Sequence, residues 1–249
     1  MSEMLPVVIL AGGLARRLWP LTARIPKALV DVAGEPFLAH QLRLLRSHGI
    51  AEVVICAGHL GDRIAQFAGD GSAWGLRVQY SSDGDRLLGT AGAICKALPL
   101  LGEAFFVIYG DSYLPCDYAA AQKAFQSSGK LALMTVCENR DRWDASNVEF
   151  ADGRILAYSK TCKTAAMRHI DYGLGVIRRE AFDEAPPASP YDLAELYRQL
   201  LDRGELAALD VRQRFYEIGS FQGLEEMRRL LGGGTVQGGT VGLHSPIPA

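Results

Sequence analysis

The 249-residue chain lacks most of the signatures that settle a protein's chemistry at a glance. Its five cysteines, Cys56, Cys95, Cys116, Cys137 and Cys162, include no C-x-x-C pair, which excludes a dithiol redox motif. Its histidines, His40, His48, His59, His169 and His244, show no H-x-x-x-H spacing, so zinc chemistry is not expected and each reads as structural or exposed. No apolar run approaches the roughly 20 residues a membrane helix needs. The short apolar run near the start has no basic leader, so a cytoplasmic, reduced setting and no membrane partner are expected. Charge of one sign is also missing. Lys and Arg number 26 against 28 Asp and Glu, dispersed apart from Arg16–Arg17, which argues against a nucleic-acid partner. Two phosphate motifs fail as well. The Walker A pattern is absent after Gly12 and Gly13, and no third glycine completes a dinucleotide fingerprint. No internal repeat is visible, and no hexapeptide repeat follows residue 231.

What is present suits one α/β domain over residues 1–231, with 49% hydrophobic residues, followed by a Gly/Pro-rich tail over 232–249 that is expected to be mobile. Short β-branched runs at 5–10, 52–57, 76–80 and 104–109 read as strands. Helical spacing appears at 36–48, closing at Gly49 as a C′ glycine, and at 62–68 with Asp62 near the N-cap. The stretch LLGTAGAICKAL sets Gly89 and Thr90 before a helix whose N-terminus would face whatever lies over the sheet. This βα alternation implies parallel pairing. Beyond residue 117 the pattern changes: a helix at 118–126, a strand at 131–137, a hairpin turning at Asp152–Gly153, a strand at 172–177, a helix at 191–201, a strand at 206–211 and a closing helix at 221–231.

The chemistry concentrates where strands end. LAGGLARRLWPLTARIPK, residues 10–27, passes from an apolar run into two glycines and then cations, the composition of a phosphate cradle. AFFVIY, residues 104–109, ends in Gly110 and Asp111. In an open α/β sheet both places lie beyond carboxyl ends of strands, where ligands bind. A carboxylate beside phosphates is repulsive unless Mg²⁺ intervenes, so Asp111 argues for a metal–nucleotide complex. Taken alone, a Gly–Asp pair is more often a turn.

Together, LAGGLARRLWPLT, IPKALVDVAGEPFL, YSSDGDRLLGTAGAI and YGD resemble the sugar-1-phosphate nucleotidyltransferases, also called sugar nucleotide pyrophosphorylases, over residues 5–231. The resemblance implies a Rossmann-like, three-layer α/β/α fold on a mixed, mainly parallel sheet. It implies that Leu10, Ala11, Gly12 and Gly13 wrap a nucleoside triphosphate and that Gly89 and Thr90 lie against its base and ribose. The family's G-x-R-L element falls on Ala15, Arg16, Arg17 and Leu18, which gives Arg17 the phosphate-binding arginine's place, with Arg16 an added cation. Lys27 takes the place of the lysine at the reacting phosphates. Asp111 and Glu217, the latter from FYEIGSFQGL, take the places of the carboxylates that hold Mg²⁺. On the acceptor side stand Gly110, Asn147, Lys160 and Asp171, the last where relatives carry Asn.

The reaction implied is attack of a sugar 1-phosphate on the α-phosphorus of an NTP, yielding an NDP-sugar and pyrophosphate. The pattern is nearest to small single-domain heptose or mannose-1-phosphate guanylyltransferases, which favours guanylyl transfer to a manno-configured sugar phosphate. Cytidylyl or uridylyl transfer to N-acetylmuramate 1-phosphate or a phosphocholine-like acceptor, and a catalytically silent sugar-nucleotide-binding regulator, are the alternatives. Self-association as a homo-oligomer is left open.

Overall fold

Val7, Val8 and Ile9 are all fully buried, because strand β1 (Val7–Leu10) lies mid-sheet with both faces covered. A computed structural model describes residues 3–233 except 14, 85, 87 and 187–189, and leaves the side chain of residue 16 undescribed. The tail expected to be mobile lies, from residue 234 on, outside the described residues.

After β1 come a short hairpin, β2 (Asp31–Val32) and β3 (Glu35–Pro36), and helix α1 (Phe37–Ser47). The chain continues through β4 (Glu52–Ala57), α2 (Gly61–Ala68), β5 (Arg77–Ser82), α3 (Thr90–Ala97), β6 (Ala104–Tyr109), β7 (Ser112–Tyr113), α4 (Tyr118–Ser128) and β8 (Ala132–Glu138). The second half adds β9 (Val148–Ala151), β10 (Arg154–Tyr158), β11 (His169–Arg178), α5 (Leu193–Asp202), β12 (Leu206–Asp210), β13 (Tyr216–Glu217) and α6 (Phe221–Leu231). Gly49 does close α1 in a left-handed conformation at φ +79°. Asp62, expected near the N-cap of α2, instead sits inside its first turn; Leu60 occupies the cap at φ +59° without a side-chain bond. Helix α5 starts at Leu193, later than expected, because the Asp192 carboxylate accepts the N–H of Ala194.

The main sheet is mixed and mainly parallel. Strands β5, β4, β1 and β6 pair in parallel, β11 runs antiparallel to both β6 and β8, and β12 runs parallel to β8. Odd and even residues of β1 face different layers. Val7 and Ile9 share one buried cluster with Leu38, Leu42 and Leu45 of α1 and Ile64 of α2, while Val8 belongs to another with Ile94 of α3 and the leucines of α5. This is the expected three-layer arrangement. A third cluster, Val30, Val32, Phe37, Ile218, Leu224 and Met227, docks α6 against the β2–β3 hairpin.

Two features of this sheet make room for ligands. Carboxyl ends of neighbouring strands line up, with Leu10 opposite both Cys56 and Tyr109 and Ser82 opposite Ala57. Strand β11 also carries an irregularity between Asp171 and Gly175, where Gly173 adopts φ +99°. One part of β11 pairs with β6, and the part before the irregularity reaches β9. Among the described residues, no helix is long and apolar enough to cross a membrane.

Candidate active site

Beyond β1 the chain turns at once. Ala11 N–H donates to the Cys56 carbonyl at 2.8 Å and Gly110 N–H to the Leu10 carbonyl at 2.9 Å, so the loops after β1, β4 and β6 share one rim. Gly12 packs closely against its neighbours, since a Cβ there would lie 2.8 Å from Asp83 Oδ2 and 3.3 Å from Gly58 N, so the Asp83 side chain would have to move to admit one. The result is a cavity of about 270 Å³ lined by Leu10, Ala11, Gly12, Gly13, Lys27, Ala28, Cys56, Asp83, Gly89, Thr90, Ala93, Tyr109, Gly110 and Asp111. Every residue the sequence assigned to nucleotide binding lines it except Arg16, whose side chain lies outside the described residues.

A second cavity of about 430 Å³ adjoins the first, with Tyr109 and Asp111 as shared wall. Its lining includes Arg17, Ser112, Asp144, Asn147, Lys160, Lys163, Asp171 and Glu217. Asn147, Lys160 and Asp171 thus stand together as expected. Gly110 does not: it lines the first cavity, because it continues the β1–β6 register. Arg17 also departs from expectation. The turn Arg16–Leu18 buries Leu18 completely and sends Arg17 toward the second cavity.

Asp111 and Glu217 meet through backbone pairing. The two-stranded β7–β13 ladder sets Glu217 opposite Ser112, and Ile218 N–H donates to the Asp111 carbonyl at 2.9 Å. The turn is pinned from behind by buried Gln41 of α1, whose Nε2 donates to the carbonyls of Tyr109 and Ser112 at 2.9 and 2.7 Å. Burial and the neighbouring Asp111 charge push the Glu217 carboxyl above its ordinary 4.5, while Arg17 and Lys27 pull it partway back. A Cβ on Gly219 would lie 2.5 Å from Glu217 Oε2 and 2.8 Å from Arg17 Nη2, which places the two groups around one point. Lys27, following Pro26, reaches Asp111 Oδ2 at 2.7 Å.

On the acceptor side, Asp171 accepts the Gly173 N–H at 3.0 Å and the Tyr158 hydroxyl at 3.4 Å. Its own N–H donates to Asn147 Oδ1 at 2.9 Å. Burial pushes its carboxyl above the ordinary 3.8, with Lys160 opposing. Lys160 Nζ lies 3.7 Å from Asp192 Oδ1 and 5.6 Å above the Tyr109 ring. The N-terminus of α3, expected to face a ligand, is occupied by the chain itself. Ala91 and Gly92 donate to the Tyr191 carbonyl at 2.9 and 3.1 Å, and Thr90 Oγ1 accepts the Leu193 N–H at 2.7 Å.

Sequence reading missed Asp83, Gln41, Tyr109, Asp144, Lys163 and Asp192. For Asp83 a signal existed: it directly follows β5, at the same sheet edge that singled out Asp111. Asp192 and Lys163 belong to the site only through tertiary packing and carry no such mark.

Known proteins resemble this chain throughout. Residues 6–154 match the family described as Nucleotidyl transferase. N-acetylmuramate alpha-1-phosphate uridylyltransferase of Neisseria meningitidis serogroup B is 32% identical over 90% of this chain and 97% of its own length. Mannose-1-phosphate guanyltransferase beta-B of Xenopus laevis is 26% identical over 85% of this chain and 60% of its own. Among solved structures, HddC from Yersinia pseudotuberculosis complexed with GMP-PN superposes with a TM-score of 0.75 at 21% identity, covering 92% of this chain and all of that one; at that identity the likeness concerns the fold. With the family matched over more than half of this chain and a relative above 30% identity aligned nearly end to end, this chain belongs to the nucleotidyl transferase family.

Proposed function

We propose that the chain transfers a nucleotidyl group from an NTP to a sugar 1-phosphate, releasing pyrophosphate. The observation that carries this reading is the pair of adjoining cavities, one glycine-lined and one polar, that share Asp111 and are ringed by Lys27, Arg17 and Lys160. The NTP occupies the first cavity and the sugar 1-phosphate the second. A non-bridging oxygen of the acceptor phosphate attacks the α-phosphorus; the bond from that phosphorus to the β-bridging oxygen breaks, and pyrophosphate leaves in line.

Two anions must meet, so the work is alignment and neutralisation. Lys27, beside the shared wall, stabilises charge on the departing pyrophosphate. Lys160 holds the acceptor phosphate, and Arg17, on the same cavity as Glu217, offsets charge where the two substrates approach. Asn147 and Asp171 hold the acceptor's sugar. No general base is required, because the attacking oxygen is already ionised near pH 7.

The residues present fit a divalent cation. Asp111 and Glu217 give two oxygen donors on one cavity, and the charge of Asp111 is felt at Glu217. This donor set suits Mg²⁺, which takes one or two carboxylates with substrate phosphates. When bound, Mg²⁺ would neutralise charge on the reacting phosphates. NTP and sugar phosphates are cytoplasmic metabolites, and all five cysteines are free, which fits a reducing compartment.

Product analysis tests the proposal. The chain is incubated with each of four NTPs, Mg²⁺ and a panel of glucose, mannose, heptose and N-acetylmuramate 1-phosphates. Acceptor-dependent pyrophosphate release with an NDP-sugar of matching mass is expected for at least one pair. Tight NTP binding without pyrophosphate release from any pair would instead favour the silent regulator.

A further inference from the structure

Two walls of the second cavity come from segments far apart in the chain. The loop between β8 and β9 contributes Asp144, Ala145, Ser146 and Asn147, and β13 with the residue before it contributes Phe215 and Glu217. The loop is closed on itself. Fully buried Asn139 donates through Nδ2 to the Asp144 carbonyl at 2.6 Å and to the Ser146 hydroxyl at 3.2 Å. The Asp141 N–H donates to Ser146 Oγ at 3.0 Å, and the Ser146 N–H returns to Asp141 Oδ1 at 2.8 Å. Both ends of the loop are tied beside the start of β11: Asn139 and Arg140 donate to the Arg168 carbonyl at 3.0 and 2.8 Å, and Asn147 to the His169 carbonyl at 3.0 Å. The tip, around Trp143, has no such tie to β11, so its distance from β13 is set by what stands between them.

Arg214 stands there. Its guanidinium carbon lies 5.1 Å from the centre of the Trp143 ring, on the loop, and 4.8 Å from the centre of the Tyr216 ring, on β13. The Trp143 ring also meets Phe215 edge-on, at 5.8 Å and 86°. From behind, the guanidinium pairs with Glu226 of α6, whose other carboxylate oxygen accepts from Gln222 Nε2 at 3.2 Å. Both side chains of that pair are 26% exposed, so the contact is sheltered from much of the screening a surface pair suffers. A cavity of about 60 Å³ lies among Trp143, Arg214, Tyr216, Glu217 and Glu226, which puts the assembly directly behind Glu217. A planar guanidinium can face aromatic rings and still offer its edge to a carboxylate, whereas an ammonium is a compact, strongly hydrated point charge.

We propose that Arg214 latches the tip of this loop to β13 and is thereby a positioning residue for the acceptor, fixing how far Asp144, Ala145 and Ser146 stand from Glu217 across the second cavity. This rests on the nucleotidyl-transfer reading, with the acceptor in that cavity. Arg214 lines neither of the two large cavities, so it acts only through the residues it holds. Trp143, Tyr216 and Glu226 do not line the first cavity either, which leaves the NTP side outside the latch. Because the loop is bonded within itself, loss of the stack would let the tip swing as one piece about its tied ends and widen the cavity on the acceptor side alone.

Arg214→Lys tests it, since lysine keeps a charge for Glu226 and loses the plane that stacks. In the full chain, hydrogen exchange read by mass spectrometry should show the amides of 140–146 exchanging at least about tenfold faster, with those of α1 unchanged. Steady-state pyrophosphate release, measured with the substrate pair that turns over best, should show KM for the sugar 1-phosphate raised about tenfold and KM for the NTP within about twofold of the natural value. Trp143→Leu removes the same stack from the loop side and should reproduce both results, and the double variant should lose no more than the worse single. Unchanged exchange over 140–146, faster exchange with an unchanged acceptor KM, or additive losses in the double variant each overturn the inference while leaving nucleotidyl transfer intact. A lowered Tm with neither readout moved overturns it too, and marks Arg214 as a stability contact only. If the natural chain turns over no substrate pair, the transfer reading fails and takes the acceptor role with it, and the exchange rates show separately whether the latch exists. Should Arg214→Lys fail to fold, Trp143→Leu carries the same two readouts by itself.

Discussion

Lys27 and Asp111 are about one-fifth exposed and joined at 2.7 Å, so a lysine of the first cavity is paired with a carboxylate that both cavities share. Glu217 faces the same space and feels the charge of Asp111. If both carboxylates act through one ion, Asp111→Asn and Glu217→Gln should each lower kcat by roughly a hundredfold or more, and the double variant should lose little beyond the worse single. Turnover measured across a Mg²⁺ series checks this; near-normal turnover of Glu217→Gln with an unchanged Mg²⁺ dependence would remove Glu217 from the site. Asp171 makes a separate, pH-dependent prediction. Its folded carboxyl titrates above its ordinary 3.8 because of burial, so the folded state binds the proton more tightly than the unfolded chain does. The natural chain therefore loses stability as pH rises from about 4 through the raised value, and holds the full penalty above it. Asp171→Asn escapes that penalty. Its Tm relative to the natural chain should rise by about 2 °C or more between pH 4 and pH 8. Parallel Tm curves would show that Asp171 is solvated enough to ionise freely. Asp111 was legible in sequence because a glycine–carboxylate pair ended an apolar run. Asp171 was legible only through a resemblance, and its partners Tyr158 and Gly173 were not legible as partners.

At the scale of elements, the join between α3 and α5 shapes one wall of the first cavity. Gly89 stands at φ +76°, and a Cβ there would lie 2.4 Å from the Tyr191 carbonyl oxygen, which caps α3 by accepting Ala91 and Gly92 N–H. Backbone meeting backbone cannot yield as a side-chain tip could. Gly89→Ala should cost about 3 kcal/mol or more, from the left-handed conformation and the displaced cap together. Gly34→Ala supplies the comparison. Gly34 has φ +89° and nothing within 4 Å of its would-be Cβ, so only the conformational cost of about 1–2 kcal/mol applies. Urea midpoints of the two variants decide the matter, and equal losses would mean that the 190–193 segment shifts without penalty. The GT dipeptide reads in sequence as a ligand-facing helix start. The structure gives its helix amides to Tyr191, because a buried helix end needs acceptors whether or not a ligand is present.

Across the whole molecule, one continuous sheet separates two apolar layers, and the cysteines report on both. Cys56 lies in the layer with α3 and α5, while Cys116 and Cys137 lie in the opposite one. Burial pushes the thiols of Cys56 and Cys116 up to about 12, whereas Cys162 is exposed on the stretch that carries Lys160. In native protein at pH 8 a thiol reagent should therefore modify Cys162 at least about a hundredfold faster than Cys56 or Cys116, with all five reacting in denaturant. Peptide mapping by mass spectrometry reads each rate. Cys116 labelling as fast as Cys162 would mean that the layer holding α1 and α4 opens locally, without global unfolding.

The sequence by itself determined the longer elements and the alternation that stacks them, because apolar spacing, β-branched runs and turn glycines act over a few residues, while the two-residue strands β2, β3, β7 and β13 left no such pattern. It also marked Asp111 and the glycine loop, since strand ends and phosphate cradles leave local patterns. Tertiary structure alone decided what meets there. The β7–β13 ladder brings Glu217 to Asp111, and the irregularity in β11 opens the second cavity beside Lys160. Arg17 goes to that cavity rather than the first, and the Asp83 carboxylate reaches over Gly12. These are facts of pairing between segments far apart in the chain, and a pairing depends on the register and packing of both partners, which neither segment's own residues encode.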